Sequence, residues 1–472
     1  MSIMRKIVGL LLVLASWQGQ VNAANLLEVY QEAQQSDPIF QQAVSEYYSE
    51  IQGVPISAGA LLPNIILKMG PSISRAGLSG STSSLFSQVG TPVFATAQLP
   101  PHITQKSFGY DLTIRQVVFD YAKFTRVAEQ FSYSKKAEAK LNSAIQNLII
   151  RVTHAYLNIL KDTDDLQYSK ISRTAFLQDL YQVKQQYKVG KKKVSDLDAA
   201  QAAYDSAVVN YLAAENTLDN DIENLRVITG HYYPSLAALN SNIPLISPQP
   251  NNINTWVKTA IQQNWSIKAS GYAMDASRQI IKKQFARHMP IATLEATYFR
   301  NYTNTINRYQ NSALGEGPGQ QKERVIGLKI AVPIFEGGSV TAETRRAFYN
   351  FQTSQQKLEQ SMRDTINSTR QSYHGVLLGI RQIKADAQSV RSAQSSLASI
   401  EASYKAGTST LLDVLNQRKK VLEAQTQYAA DRYNYINNLL NLKKAAGTLS
   451  FDDLHVVNAW LGKTIQIAQA NE

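Results

Sequence analysis

The side chains able to do chemistry gather in a phrase that the chain writes twice. It reads YKVGKKKVSDL from Tyr187 to Leu197 and YKAGTSTLLDVL from Tyr404 to Leu415, with Tyr, Lys, Gly and Asp at the same relative positions. Gly190 and Gly407 suit a left-handed helix cap, and Ser195, Asp196 or Thr410 can help to begin the helix that follows. A carboxylate such as Asp413 near a helix start gains about 0.3–1 kcal/mol from the helix dipole. Lys191, Lys192 and Lys193 add a positive cluster to the first copy.

These groups can bond, hold cations or meet a partner, but they do not make a catalytic constellation. The six histidines (His102, His154, His231, His288, His374 and His455) are scattered, and no pair has metal-ligand spacing. There is no nucleophile elbow and no phosphate loop, and GEGPG at Gly315 to Gly319 reads as a turn. The absence of cysteine excludes disulfides, thiolate metal sites, thiol catalysis and a lipoprotein anchor together. The sequence argues against an enzyme and calls for no cofactor and no metal. The formal net charge is +12, but the basic residues are dispersed along polar helix faces, so nucleic acid is not an expected partner.

What positions the repeated phrase is a duplication of the chain. Tyr187 and Tyr404, Gly190 and Gly407, and Asp196 and Asp413 are all 217 positions apart, as are ENLRVITG (Glu223 to Gly230) and LNLKKAAG (Leu440 to Gly447). Upstream, DLTIRQVVFD (Asp111 to Asp120) meets GLKIAVPIFE (Gly327 to Glu336) at 216, and Leu62-Pro63 meets Met289-Pro290 at 227. Self-similarity on this scale means two units built to one plan, the first carrying about eleven extra residues in a loop. The boundaries that follow are repeats at 24–232 and 253–447, a linker at 233–252 and a C-terminal segment at 448–472. Residues 1–23 place Arg5 and Lys6 before an apolar run that ends in small residues at Ala23, the pattern of a secretory signal.

Each repeat is expected to open with a short helix, at about 26–56 and about 253–285, that stops before a proline. Period-two patterning then predicts amphipathic strands at about 62–78, 106–119, 290–304 and 324–336, paired as two hairpins across polar, turn-rich loops. In the third, Ala292, Leu294, Ala296 and Tyr298 alternate with Thr293, Glu295 and Thr297. Afterwards the period becomes 3.6, giving helical hairpins at about 122–230 and 339–447 with the repeated phrase at their tips. The outgoing rods, without proline for roughly 65 residues, would each be about 100 Å long. Ile145, Leu148, Ile149, Val152, Tyr156, Ile159 and Leu160 form a stripe for packing along one of them.

The fold class is therefore an α+β membrane protein with four amphipathic strands and long antiparallel helices. Four strands cannot close alone, and open edges cannot face lipid. Several copies must pool them.

Between about Leu26 and Leu461 the chain carries NLLEVYQEAQQSDP, YLNILKDTDDL, QYKVG, NLRVITGHYYPSLAALN, VPIFEGGSV, AQSSLASIEASYKAGTSTLLDVLN and YNYINNLLNLKKAAGTLSFDDL. In these segments it resembles the TolC-type outer-membrane efflux proteins. The resemblance implies a homotrimer whose 12-stranded barrel crosses the outer membrane of a Gram-negative bacterium and continues as a periplasmic α-helical barrel. It also implies partners: a periplasmic adaptor, and an inner-membrane pump or secretion ATPase whose drugs or polypeptides leave through the tunnel. By resemblance the tunnel is gated at the tips, at positions matching Tyr404, Ser409, Asp413 and Asn416, with Ser195 and Asp196 on the facing hairpin. Asp413 from three subunits would form a carboxylate ring. Asn416 stands where a second acidic ring is usual, and Ser409 stands where the latch has an arginine. The constriction is thus expected to hold cations less strongly, and the latch to be weaker unless Lys405 or Arg418 compensates. Val189, Gly190, Lys191, Ala406, Gly407 and Thr408 match adaptor-contact tips.

Overall fold

The computed structural model describes residues 23–77, 81–88, 91–98, 102–240, 242–307 and 317–467. Apart from Ala23, the expected signal segment lies outside these residues. The chain divides into two compact units: residues 1–48, 136–271 and 356–472 form one, and 49–135 with 272–355 form the other.

The expected opening helices are each broken. Residues of the first form α1 (Leu26–Ser36), α2 (Pro38–Ile51) and α3 (Gly53–Gly59); those of the second form α6 (Ile253–Gln263) and α7 (Trp265–Phe285), followed by a 3-10 turn, Ala286–His288. The breaks at Asp37 and Asn264 share a side-chain cap. Asp37 precedes Pro38, which disfavours a helical residue before it, and the Asp37 carboxylate accepts from the Phe40 N–H at 2.8 Å to start α2. Asn264 does the same for α7, accepting from Ser266 at 2.9 Å. Both residues are also held by the long helices: Arg151 pairs with Asp37, and Asn264 donates to the Ala445 carbonyl at 2.9 Å.

The second unit holds a four-stranded antiparallel sheet in the order β1 (Asn64–Gly77), β4 (His102–Phe119), β6 (Ile291–Asn307), β7 (Gly317–Ala331). Two expectations need correction. The segment read as a loop before β4 contains a hairpin, β2 (Ser81–Gln88) with β3 (Thr91–Gln98); its serines and threonines are compatible with strand pairing as well as turns. The fourth strand was expected at about 324–336, whereas β7 ends at Ala331. Pro333 has no N–H to give a ladder, and Ile334 and Phe335 beyond it are 94% and 85% exposed in the single chain.

Registration sorts the sheet into two faces, because directly paired residues share a side. One carries Ile65, Leu67 and Met69 of β1, Ile114 and Leu112 of β4, and Ile326, Leu328 and Ile330 of β7, all in register through Ala292 to Arg300 of β6. The other carries Lys68, Asp111, Thr113, Arg115, Glu295 and Thr297. Leu67, Met69, Ile326 and Leu328 are all more than half exposed in the single chain.

The first unit is built on helices. α4 (Tyr121–Lys188, 68 residues) returns as α5 (Val194–Thr229), and α8 (Ser339–Lys405, 67 residues) returns as α9 (Leu411–Ala445). α4 and α8 contribute residues to both units. The expected stripe is core: Leu148, Ile149, Val152, Tyr156, Ile159 and Leu160 are buried with Leu225 of α5 and Tyr435, Ile436 and Leu440 of α9. The segments read as linker and tail supply β5 (Ser235–Leu239), α10 (Phe451–Asn458) and β8 (Leu461–Gln466), with β5 pairing β8. The Tyr156 hydroxyl donates to the Ala237 carbonyl at 2.7 Å and so fastens this strand pair to α4. Among the described residues, no helix is long and apolar enough to cross a membrane.

Candidate functional site

Both tips turn by one device. Gly190 has φ +75° and Gly407 φ +80°, a region that penalises a Cβ. The Gly190 N–H donates to Tyr187 at 2.9 Å and Lys191 to Gln186 at 2.8 Å; Gly407 donates to Tyr404 at 3.1 Å and Thr408 to Ser403 at 2.9 Å. These bonds cap the ends of α4 and α8.

The two returning helices start differently. At α9, Thr410 and Asp413 cap one another: Asp413 donates its N–H to the Thr410 hydroxyl at 3.2 Å, and its carboxylate accepts from the Thr410 N–H at 2.9 Å and hydroxyl at 2.7 Å. The Thr410 hydroxyl, and then the Thr410 N–H, hold the exposed Asp413 carboxyl below the usual carboxylate range. At α5 the corresponding cap position is Lys193, and only a 3.4 Å contact runs from its N–H to Asp196. Asn416 is exposed three residues after Asp413 on α9, while Val414 and Leu415 between them are buried. The acid and the amide therefore share the outward face of one helical turn. Val189, Lys191, Ser195, Ala406 and Thr408 are exposed, and Ser409 is half-buried.

Tyr404 and Asp196, which the resemblance implies stand on opposite sides of a latch, are linked through a third residue. The Lys192 ammonium lies 4.8 Å from the centre of the Tyr404 ring and 3.9 Å from the Asp196 carboxylate. A cation over an aromatic face contributes about 0.5–1 kcal/mol at an exposed site. Beneath it Tyr404 packs on a small apolar cluster of Phe176, Val183, Ala200, Ala207, Leu411 and Leu415, drawn from α4, α5 and α9.

A second tie lies farther along the hairpins, and sequence reading named only one of its three members. The Arg418 guanidinium on α9 donates to Glu401 of α8 at 2.7 Å, and its Nε stands 3.3 Å from the Asp179 carboxylate of α4. The second contact is a charge pairing out of hydrogen-bond alignment. Burial raises the Asp179 carboxyl, Arg418 pulls it down and Glu401 pushes it up. Fifteen residues along both helices, Tyr433 of α9 donates to Asp164 of α4 at 2.8 Å. Asp179 follows Asp164 by the same interval at which Arg418 precedes Tyr433, as antiparallel packing requires. That interval was present in the sequence, but nothing local says that α4 and α9 are neighbours.

The outer membrane efflux protein family model matches residues 29–231 and 256–448. The chain is 31% identical to the outer membrane protein TolC of Escherichia coli, over 99% of this chain and 92% of that protein. It is 23% identical to the alkaline protease secretion protein AprF of Pseudomonas aeruginosa, over 93% of this chain and 87% of that one. Its fold is similar to that of the Campylobacter jejuni CmeC outer membrane channel, with a TM-score of 0.71 at 16% identity, covering 94% of this chain and 93% of the other.

Proposed function

The chain belongs to the outer membrane efflux protein family, and on that premise we propose that three copies close one hollow conduit. The protein is an exit duct of the Gram-negative outer membrane, serving efflux and type I secretion; its family is one of transport channels, not of enzymes. The observation that carries the trimer is the sheet. Among the described residues its order leaves the outer edges of β1 and β7 unpaired, and one of its faces is apolar and exposed. In lipid an unpaired edge has no water to bond, and single-chain barrels begin at about eight strands, so three copies of four strands give about 12. The two family matches start 227 residues apart and end 217 apart, which supports two repeats in each subunit. The helical hairpins would then line a periplasmic barrel that meets an adaptor and an inner-membrane pump or secretion ATPase.

In this reading the tips are the gate. Asp413 from three subunits rings the pore and attracts cations, with Asn416 contributing an uncharged ring one turn on. Tyr404, Ser409, Ser195 and Asp196 form the latch region, closed here through Lys192 and Arg418 in place of an arginine at 409. Val189, Gly190, Lys191, Ala406, Gly407 and Thr408 face the adaptor. The decisive experiment is purification in detergent followed by electrophoresis and planar-bilayer recording. An SDS-resistant trimer that conducts ions is expected, and a water-soluble monomer would refute the conduit. Charge reversal at Lys191, Lys192 and Lys193 is expected to weaken adaptor pull-down while the trimer stays intact.

A further inference from the structure

The two faces of the sheet differ in charge as well as in polarity. On the inward face of the proposed barrel, Lys68, Arg115 and Lys329 are matched by Asp111, Glu295 and Glu323, with Lys68 directly opposite Asp111 and Arg115 directly opposite Glu295. On the apolar face, the described residues of these strands include Arg75, Lys106, Arg300, Lys322 and Arg324, and no acid. A balanced face beside one of five cations is not the outcome of scattering charge along strands.

Their heights on the sheet are as informative. The rows nearest the helices are apolar, from Ala292 opposite Ile330 to Ala296 opposite Ile326. Tyr298 then faces Arg324, Arg300 faces Tyr110 and Lys322, and Asn304 faces Lys106. From Ala292 to Arg300 is eight residues, about 27 Å of strand, or about 20 Å of depth at a tilt of about 40°. Arg300, Lys322, Lys106 and Arg75 therefore lie toward or beyond the end of the apolar band away from the helices, where a cation costs little, and Arg324, one row lower at about 16 Å, reaches the same level along its stem. Tyrosines support them. The Arg300 guanidinium lies 4.8 Å from the Tyr302 ring centre, Arg324 lies 5.4 Å from that of Tyr298, and Tyr110 and Tyr298 are 5.9 Å apart. Planar guanidiniums on an aromatic belt suit phosphate groups at a membrane surface.

We propose that this belt binds the phosphorylated sugar headgroup of the outer-leaflet lipid, lipopolysaccharide. The inference rests on the barrel reading, which puts this face outward and the helix-distal end in the outer leaflet. Among the described residues no acid on this face gives the five cations a counter-charge; two phosphates on a rigid disaccharide supply it.

The test compares the full-length wild type with a variant carrying Lys106→Gln, Arg300→Gln, Lys322→Gln and Arg324→Gln, and with an inward-face control, Lys68→Gln with Lys329→Gln. Lipid that stays bound through detergent purification is counted by native mass spectrometry, and rebinding is measured with bisphosphorylated lipid A, its dephosphorylated form, phosphatidylglycerol vesicles and inorganic phosphate. The belt variant is expected to retain lipid A about tenfold less well or worse, the control to match the wild type, and the wild type to favour the bisphosphorylated form about tenfold. Equal retention by the belt variant, equal binding of the dephosphorylated form or of phosphatidylglycerol, or displacement by inorganic phosphate alone would overturn the proposal. If the combined variant does not assemble, Arg300→Gln and Lys322→Gln singly decide it, each lowering retention severalfold or refuting the belt. A wild type that neither trimerises nor conducts sinks the barrel reading instead; a conducting trimer indifferent to these charges sinks only the lipid site.

Discussion

Replacing Arg418 by alanine should loosen the tips, and the structure sets the size and the pH dependence of the effect. Arg418 is about a quarter exposed and Asp179 is 13% exposed, so this pair lies between two regimes. Exposed pairs contribute about 0–1 kcal/mol, whereas breaking a buried pair costs about 3–5. The Glu401 arm is 35% exposed and adds little. A cost of about 2 kcal/mol follows, which would raise the population of the opened tip about thirtyfold. Asp179 then has an escape. Its carboxyl is already held above the usual range by burial, and losing the guanidinium moves it higher. A group raised in the closed state destabilises that state as pH rises through its value, so a proton can replace the missing arginine in acid. Single-channel conductance of Arg418→Ala should therefore exceed that of wild type most at neutral pH and above, and approach it on acidification. Adding Asp179→Asn should restore much of the closure at neutral pH, because no charge is then left buried. A conductance gain that is unchanged by pH and unrelieved by the second substitution would refute the tie.

The tip acid gives a cleaner separation of roles. Asp413→Asn keeps an acceptor for the Thr410 N–H but removes the charge, so ion recordings should lose cation selectivity while melting changes by less than about 1 kcal/mol; unchanged selectivity would leave Asp413 as a helix cap alone. The Thr410 hydroxyl pulls this carboxyl below the ordinary range, against the mutual repulsion of three carboxylates in the proposed ring, so Thr410→Val should make the selectivity fade at a higher pH than in wild type. Because Tyr404 meets Lys192 through its ring, Tyr404→Leu should raise conductance more than Tyr404→Phe; equal gains would make the hydroxyl the working part. At Gly407 a Cβ meets open space, so Gly407→Ala costs only the positive-φ strain, about 1–2 kcal/mol; at Gly447 it would stand 2.7 Å from the Asn264 nitrogen, and thermal denaturation of Gly447→Ala should show the larger loss.

The sequence was sufficient wherever structure is local. The change of period from two to 3.6 located strands and helices, and the glycines of the repeated phrase located the tips, because both follow from residues within a few turns of one another. Local patterning was weaker where a segment could go two ways. The Ser- and Thr-rich stretch before β4 looked like a loop and contains a hairpin, and the opening helices break where Asp37 and Asn264 find partners on long helices far away in sequence. Only the tertiary structure set α4 against α9. It thereby brought Asp179 to the Glu401–Arg418 pair of one hairpin, and Tyr404 to the Lys192–Asp196 pair of the other. Whether a charge is matched depends on what packs across from it, and a helix carries no local record of a neighbour more than two hundred residues away.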